Sequence, residues 1–96
     1  MNEAKKWIND VLATPEGFRV YERERVIVDA TESICEEMLR LGLNRKDLAG
    51  RLGVTQAKVT QILSGTRALT LGTLSDMFVA MGRSLRIEHA PLSTEV

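Results

Sequence analysis

The chain has 96 residues, 44% of them hydrophobic and 27% charged, with basic and acidic side chains in equal number. That length supports one domain with one modest core, and the composition is globular rather than disordered. A single cysteine and a single histidine rule out an internal disulfide and a zinc site built from those residue types.

No apolar run approaches a membrane span, and the amino-terminal residues lack the apolar segment of a secretory leader, so the expected location is cytoplasmic. Residues 2–13 read as a short amphipathic helix with Trp7, Ile8, Val11 and Leu12 on one side, interrupted by Thr14-Pro15-Glu16-Gly17. A longer helix is expected from about Val20. Ile27, Thr31, Ile34, Met38 and Leu41 draw its apolar stripe, broadened by Val28, Cys35 and Leu39, and Gly42 stops it. Cys35 is accordingly expected as a buried structural thiol.

Asn44 is a good N-cap with Asp47 three residues on, and the helix it opens ends at Gly53. Thr55 caps a second short helix, Gln56–Ser64, ending at Gly65. Thr70 caps another to about Met81, with Leu69 and Leu74 as a hydrophobic staple and Leu71, Leu74, Phe78 and Met81 as its apolar face. Residues 84–89 alternate apolar and polar like a half-buried strand. Such a strand has no partner in a helical chain, and pairing of Leu85 and Ile87 with a second copy would satisfy it, hence an expected homodimer. The expected fold is therefore all-α, a compact bundle of about five helices with a short C-terminal strand. Its divisions are a helical extension (1–19), a central domain (20–82) and a strand with its tail (83–96).

Charge is unevenly placed. Residues 1–39 carry five basic and nine acidic side chains, whereas residues 40–67 carry Arg40, Arg45, Lys46, Arg51, Lys58 and Arg67 against Asp47 alone. This concentration points to a phosphate-binding face. The same stretch contains two short helices joined by a tight turn. Ala49 is small enough for close helix approach, Gly53 suits the turn, and Leu48, Leu52, Val54, Val59 and Ile62 are apolar where the helices meet the core.

Leu43 to Gly82 resembles the DNA-binding domain of the Xre/Cro/lambda-repressor-type regulators, including a Thr70-Leu71-Gly72-Thr73-Leu74 opening to the helix after the motif. On geometry alone, Gln56 lies at the tip of the second motif helix, and Ala57, Gln61 and Ser64 oppose its core side, flanked by Lys58 and Thr60. Glutamine can bond both N6 and N7 of adenine, and alanine can touch a thymine methyl. The resemblance places base contacts at Gln56, Ala57 and Gln61, with Lys58 and Thr60 beside them. Expected phosphate contacts are Asn44, Arg45, Thr55, Thr66, Arg67 and Thr70.

The function expected from this resemblance is sequence-specific binding of double-stranded DNA at a palindromic operator, as a transcriptional repressor. Residues 18–25 leading into a long helix, then the motif, then a terminal strand, also resemble the HigA-type antitoxins, which implies an autoregulating antitoxin with a toxin partner. Alternatives are a stand-alone phage or restriction–modification-type repressor, and a protein-interaction module that reuses the fold. An enzyme is not expected: there is no phosphate-cradling glycine loop and no Ser/His/Asp or Cys/His set. The carboxylates between Glu16 and Glu37, interleaved with Arg19, Arg23 and Arg25, read as a solvated helix face. No cofactor is called for.

Overall fold

The computed structural model describes residue 10 and residues 12–65 and 69–92. Four helices follow one another in it: α1 (Pro15–Leu41), α2 (Arg45–Leu52), α3 (Gln56–Leu63) and α4 (Leu71–Ala80). There is no strand among the described residues, and none of their helices is long and apolar enough to cross a membrane. The expected helix over residues 2–13, with Trp7, Ile8 and Val11, lies outside the described residues except for Asp10, Leu12 and Ala13. The chain divides into two compact units, Ile27–Ile87 and a second made of Met1–Val26 with Glu88–Val96.

Helix α1 begins earlier than the expected Val20. The Thr14 hydroxyl accepts the Gly17 N–H at 3.0 Å and the Thr14 carbonyl accepts that of Phe18 at 2.9 Å. Pro15 then takes the first helical position, where its missing N–H costs nothing. The Thr14-Pro15-Glu16-Gly17 interruption is thus the start of α1.

In the Ile27–Ile87 unit the core is a cluster of Ile34, Met38, Leu48, Ala49, Val59, Ile62, Met77, Phe78 and Met81. Leu41, Leu43, Leu52, Leu63, Leu69, Leu74 and Leu85 pack against it, so both members of the expected staple, Leu69 and Leu74, reach the core. Each fully buried aliphatic side chain stabilises the fold by about 1.5–3 kcal/mol. Helix α2 touches both α3 and α4.

The buried stripe of α1 is narrower than expected. Ile34 and Met38 face inward, whereas Val28, Leu39 and Cys35 are exposed. Cys35 is one residue beyond Ile34, about 100° round the helix, which turns it away from the core. On α4, Leu71 is 68% exposed and Met77 is fully buried. The inward set is Leu74, Met77, Phe78 and Met81, the i, i+3, i+4, i+7 pattern of one helix face. Ser84–His89 forms neither strand nor helix: Leu85 packs inward while Ile87 is 75% exposed. With no adjacent strand to bond, the alternation in sequence is not expressed as backbone pairing.

The two described linkers share one construction. Gly42-Leu43-Asn44 joins α1 to α2, and Gly53-Val54-Thr55 joins α2 to α3. Gly42 and Gly53 lie at φ 67° and 71°, the left-handed region that a Cβ disfavours. The following N–H reaches back into the finished helix, from Leu43 to the Met38 carbonyl at 2.9 Å and from Val54 to the Ala49 carbonyl at 3.1 Å. The third residue caps the next helix. Val54 belongs to this turn and is exposed, not part of the apolar seam expected of it.

Glu37 departs from the solvated-face reading of the acidic residues. It is buried, bonded by Arg40 Nε at 2.8 Å and approached by Arg83 Nε at 3.8 Å. The Arg40 hydrogen bond, aided by the charges of Arg40 and Arg83, holds its carboxyl below the usual glutamate range against the opposing effect of burial. Arg83 follows Gly82 at the end of α4 and donates its N–H to the Phe78 carbonyl at 2.8 Å, so the triad ties the end of α1 to the end of α4.

In the other unit, the Phe18 and Tyr21 rings lie 6.2 Å apart at 54° and Arg25 Nε bonds Glu22 at 3.0 Å. With Leu12, Val26 and residues 88–92 they line an open groove.

A carboxylate whose pKa is lowered by folding contributes stability above its unfolded value and loses it as pH falls through the folded one. Thermal midpoints of the wild type and Glu37→Gln should therefore differ most at neutral pH and converge in acid; a constant gap would show that the Glu37 charge does not stabilise. Gly53→Val should destabilise by about 1–2 kcal/mol through the left-handed backbone alone, read by chemical denaturation, since no atom lies within 4 Å of the added Cβ position.

Candidate nucleic-acid interface

Helix α3 is positioned from its inner side. Val59 is 0% and Ile62 2% exposed, and Leu63 packs against the same cluster. Fixing those three fixes the rest by the helical repeat, so Gln56, Ala57, Lys58, Thr60, Gln61 and Ser64 are all exposed. This is the grouping expected of the base-reading set, with no acidic residue and no bulky apolar side chain in it. The Ser64 hydroxyl donates to the Gln61 carbonyl at 2.7 Å, which closes the helix end.

The caps around this helix distinguish the candidate phosphate contacts. Asn44 Oδ1 accepts the Asp47 N–H at 2.8 Å and Asp47 Oδ2 accepts the Asn44 N–H at 3.0 Å, a complete capping box. Thr55 Oγ1 accepts the Lys58 N–H at 3.1 Å, which leaves its hydroxyl proton to donate outward. Thr70 Oγ1 accepts the Thr73 N–H at 3.1 Å and donates its own proton to Thr73 Oγ1 at 3.0 Å, so its hydroxyl is committed within the turn. Thr66 and Arg67 lie outside the described residues.

The basic residues are also not equivalent. Arg40 is paired with Glu37, and Arg51 Nη1 donates to the Ala80 carbonyl at 3.2 Å, where it satisfies the end of α4. Both belong to the positive stretch of the sequence but have structural partners. Arg45, Lys46 and Lys58 are exposed. Arg45 is the first residue of α2, and its Nη1 bonds Thr60 Oγ1 on α3 at 3.3 Å. A candidate phosphate contact and a candidate base contact are thus brought together across fifteen residues of sequence.

Sequence reasoning missed Arg51, Arg83 and Glu37 as structural groups. Each partner is distant in sequence or turned by the helix, and only Glu37–Arg40, spaced i, i+3, carried a local signal.

A family model described as Helix-turn-helix matches residues 36–87, which takes in the end of α1 and all of α2, α3 and α4. No curated protein and no solved structure matches the chain.

Thr55→Ala removes the α3 cap and should lower stability by about 1 kcal/mol, with Thr55→Ser restoring most of it. Equal denaturation midpoints for the alanine and serine variants would remove the cap from the account.

Proposed function

Because the chain belongs to the Xre/Cro/lambda-repressor-type helix-turn-helix family, and so is a DNA-binding transcription regulator, we propose that it is an operator-specific repressor acting as a homodimer. The observation that carries this reading is the exposed face of α3. It presents amide, hydroxyl, methyl and ammonium groups, the chemistry suited to base edges in a major groove, and no carboxylate to repel phosphate. Gln56, Ala57 and Gln61 read bases. Lys58 and Arg45 meet backbone, with Asn44, Thr55, Thr66, Arg67 and the α4 N-terminus at Thr70 completing the phosphate set. A protein-interaction module that had lost DNA binding would be expected to carry acidic or large apolar groups on this face.

Dimerisation follows from the reach of one recognition helix, which covers only a few base pairs. A two-fold pair reads two half-sites about one helical turn apart, hence a palindromic operator. Exposed Ile87, in a segment with no backbone partner of its own, supports the carboxy-terminal residues as part of the contact.

A second reading, the autoregulating antitoxin of a toxin–antitoxin pair, is favoured by one observation. Val20, Tyr21 and Val26 are each about half exposed, and they lie outside the matched family segment, where DNA contact gives them no role. A protein partner would cover them. Co-purification with the product of an adjacent reading frame, lost on Tyr21→Glu, is the outcome that reading requires; a plain repressor would purify alone.

In mobility-shift titrations against DNA from upstream of its own gene, Gln56→Ala should weaken specific binding more than binding to random DNA. Equal loss on both would deny Gln56 a base contact. Arg67→Ala should weaken both and reduce the dependence of log affinity on log salt by about one unit. A slope unchanged by that substitution would place Arg67 off the phosphates.

A further inference from the structure

The bond from Arg45 to Thr60 links α2 to α3 on the exposed face. From it we infer that Thr60 acts on DNA through Arg45, as a positioning residue for a phosphate contact, and does not read a base. This rests on the proposal that α3 enters the major groove.

An exposed arginine loses several rotatable bonds when it binds a phosphate, and the entropy of fixing them offsets much of the gain. Holding the guanidinium beforehand reduces that cost. Thr60 is suited to do so. Its β-branch restricts χ1 on the helix, and its oxygen accepts Arg45 Nη1 at 3.3 Å. One guanidinium N–H is used in this way and four remain to donate. Arg45 stands at the first position of α2, where the helix N-terminus also favours an anion. The tether therefore presents a charged fork beside a dipole of the same preference.

The residue types available constrain the alternative. With one of its two lone pairs engaged by Arg45, Thr60 has one hydroxyl proton and one lone pair left, both on a single atom, and that lone donor cannot distinguish guanine N7 from adenine N7. A bidentate contact, the form that discriminates bases well, is beyond it. Gln56 and Gln61, each with donor and acceptor on one amide, carry that role on the same face.

The experiment is a set of DNA titrations at several salt concentrations with wild type, Thr60→Val, Thr60→Ser, Arg45→Gln and the double variant Thr60→Val/Arg45→Gln. Circular dichroism on each would establish that the exposed substitutions leave the fold intact. Thr60→Val keeps the shape and β-branch but removes the acceptor. It should weaken binding to operator and random DNA alike by about three- to tenfold, the span of one net hydrogen bond. It should also lower the salt slope toward that of Arg45→Gln, which is itself lower than wild type by about one unit. Thr60→Ser keeps the acceptor without the β-branch and should bind more tightly than Thr60→Val, close to wild type, and in the Arg45→Gln background Thr60→Val should have no further effect.

The inference is overturned if Thr60→Val leaves the slope unchanged and instead alters preference at one base pair, the signature of a base reader. It is overturned equally if its loss persists undiminished in the Arg45→Gln background. Failure of the wild type to bind any DNA would be a different result, because it would refute the DNA-binding mode on which the pair depends before any variant is compared.

Discussion

Helix α2 has eight residues and serves two neighbours. It touches both α3 and α4, and only Leu48 and Ala49 of its length are buried. Two adjacent residues can face two helices because they point about 100° apart. The small side chain of Ala49 lets a neighbouring helix approach closely, while Leu48 fills the space toward the shared core. Enlarging Ala49 would push helices apart, and shrinking Leu48 would leave a cavity costing about 2–5 kcal/mol. The direction in which α3 presents its outer face follows from this contact, since Val59 and Ile62 are held against the same cluster.

The capping residues and the candidate phosphate contacts coincide here. Asn44, Thr55 and Thr70 each begin a helix, and each is a candidate phosphate contact for that reason. Their hydrogen bonds separate them: Thr55 retains a proton to give, while Thr70 has given its proton to Thr73. The cations divide in a similar way. All six are exposed, but Arg40, Arg51 and Arg83 are bonded to a buried carboxylate or a helix end, whereas Arg45, Lys46 and Lys58 have no such structural anchor. A net charge of zero is compatible with a locally basic face because the acidic residues are concentrated in residues 1–39, away from the motif in sequence.

The helices of the motif were legible because their boundaries are written in local chemistry. Asn44 with Asp47, Thr55 and Thr70 at the starts, and Gly42, Gly53, Gly65 and Gly82 at the ends, act within a few residues of themselves. Burial was legible only where the apolar spacing admitted one answer. On α3 it did. On α4 both Leu71 and Met77 fit a helical stripe with Leu74 and Phe78, and packing into the shared core, not spacing, decides that Met77 goes inward. On α1 the apolar residues surround much of the helix, and the number of neighbours, not the sequence, sets how many are covered; Cys35 is exposed for that reason. The Arg45–Thr60 bond was not legible at all, because it depends on the crossing of two helices that sequence spacing does not specify.

The two three-residue linkers bear on how long the molecule survives in a cell. Short connections cost little loop-closure entropy, and helical folds whose contacts are mostly local form quickly. When reclosing outpaces cleavage, a protease samples the open form at its equilibrium population, so turnover tracks stability and not the unfolding rate. A change of about 1 kcal/mol, the scale of one helix cap, alters that population roughly fivefold. The residues at Asn44 and Thr55 would then tune the cellular concentration of the protein as well as its grip on a ligand, and variation at these turns would register as dosage.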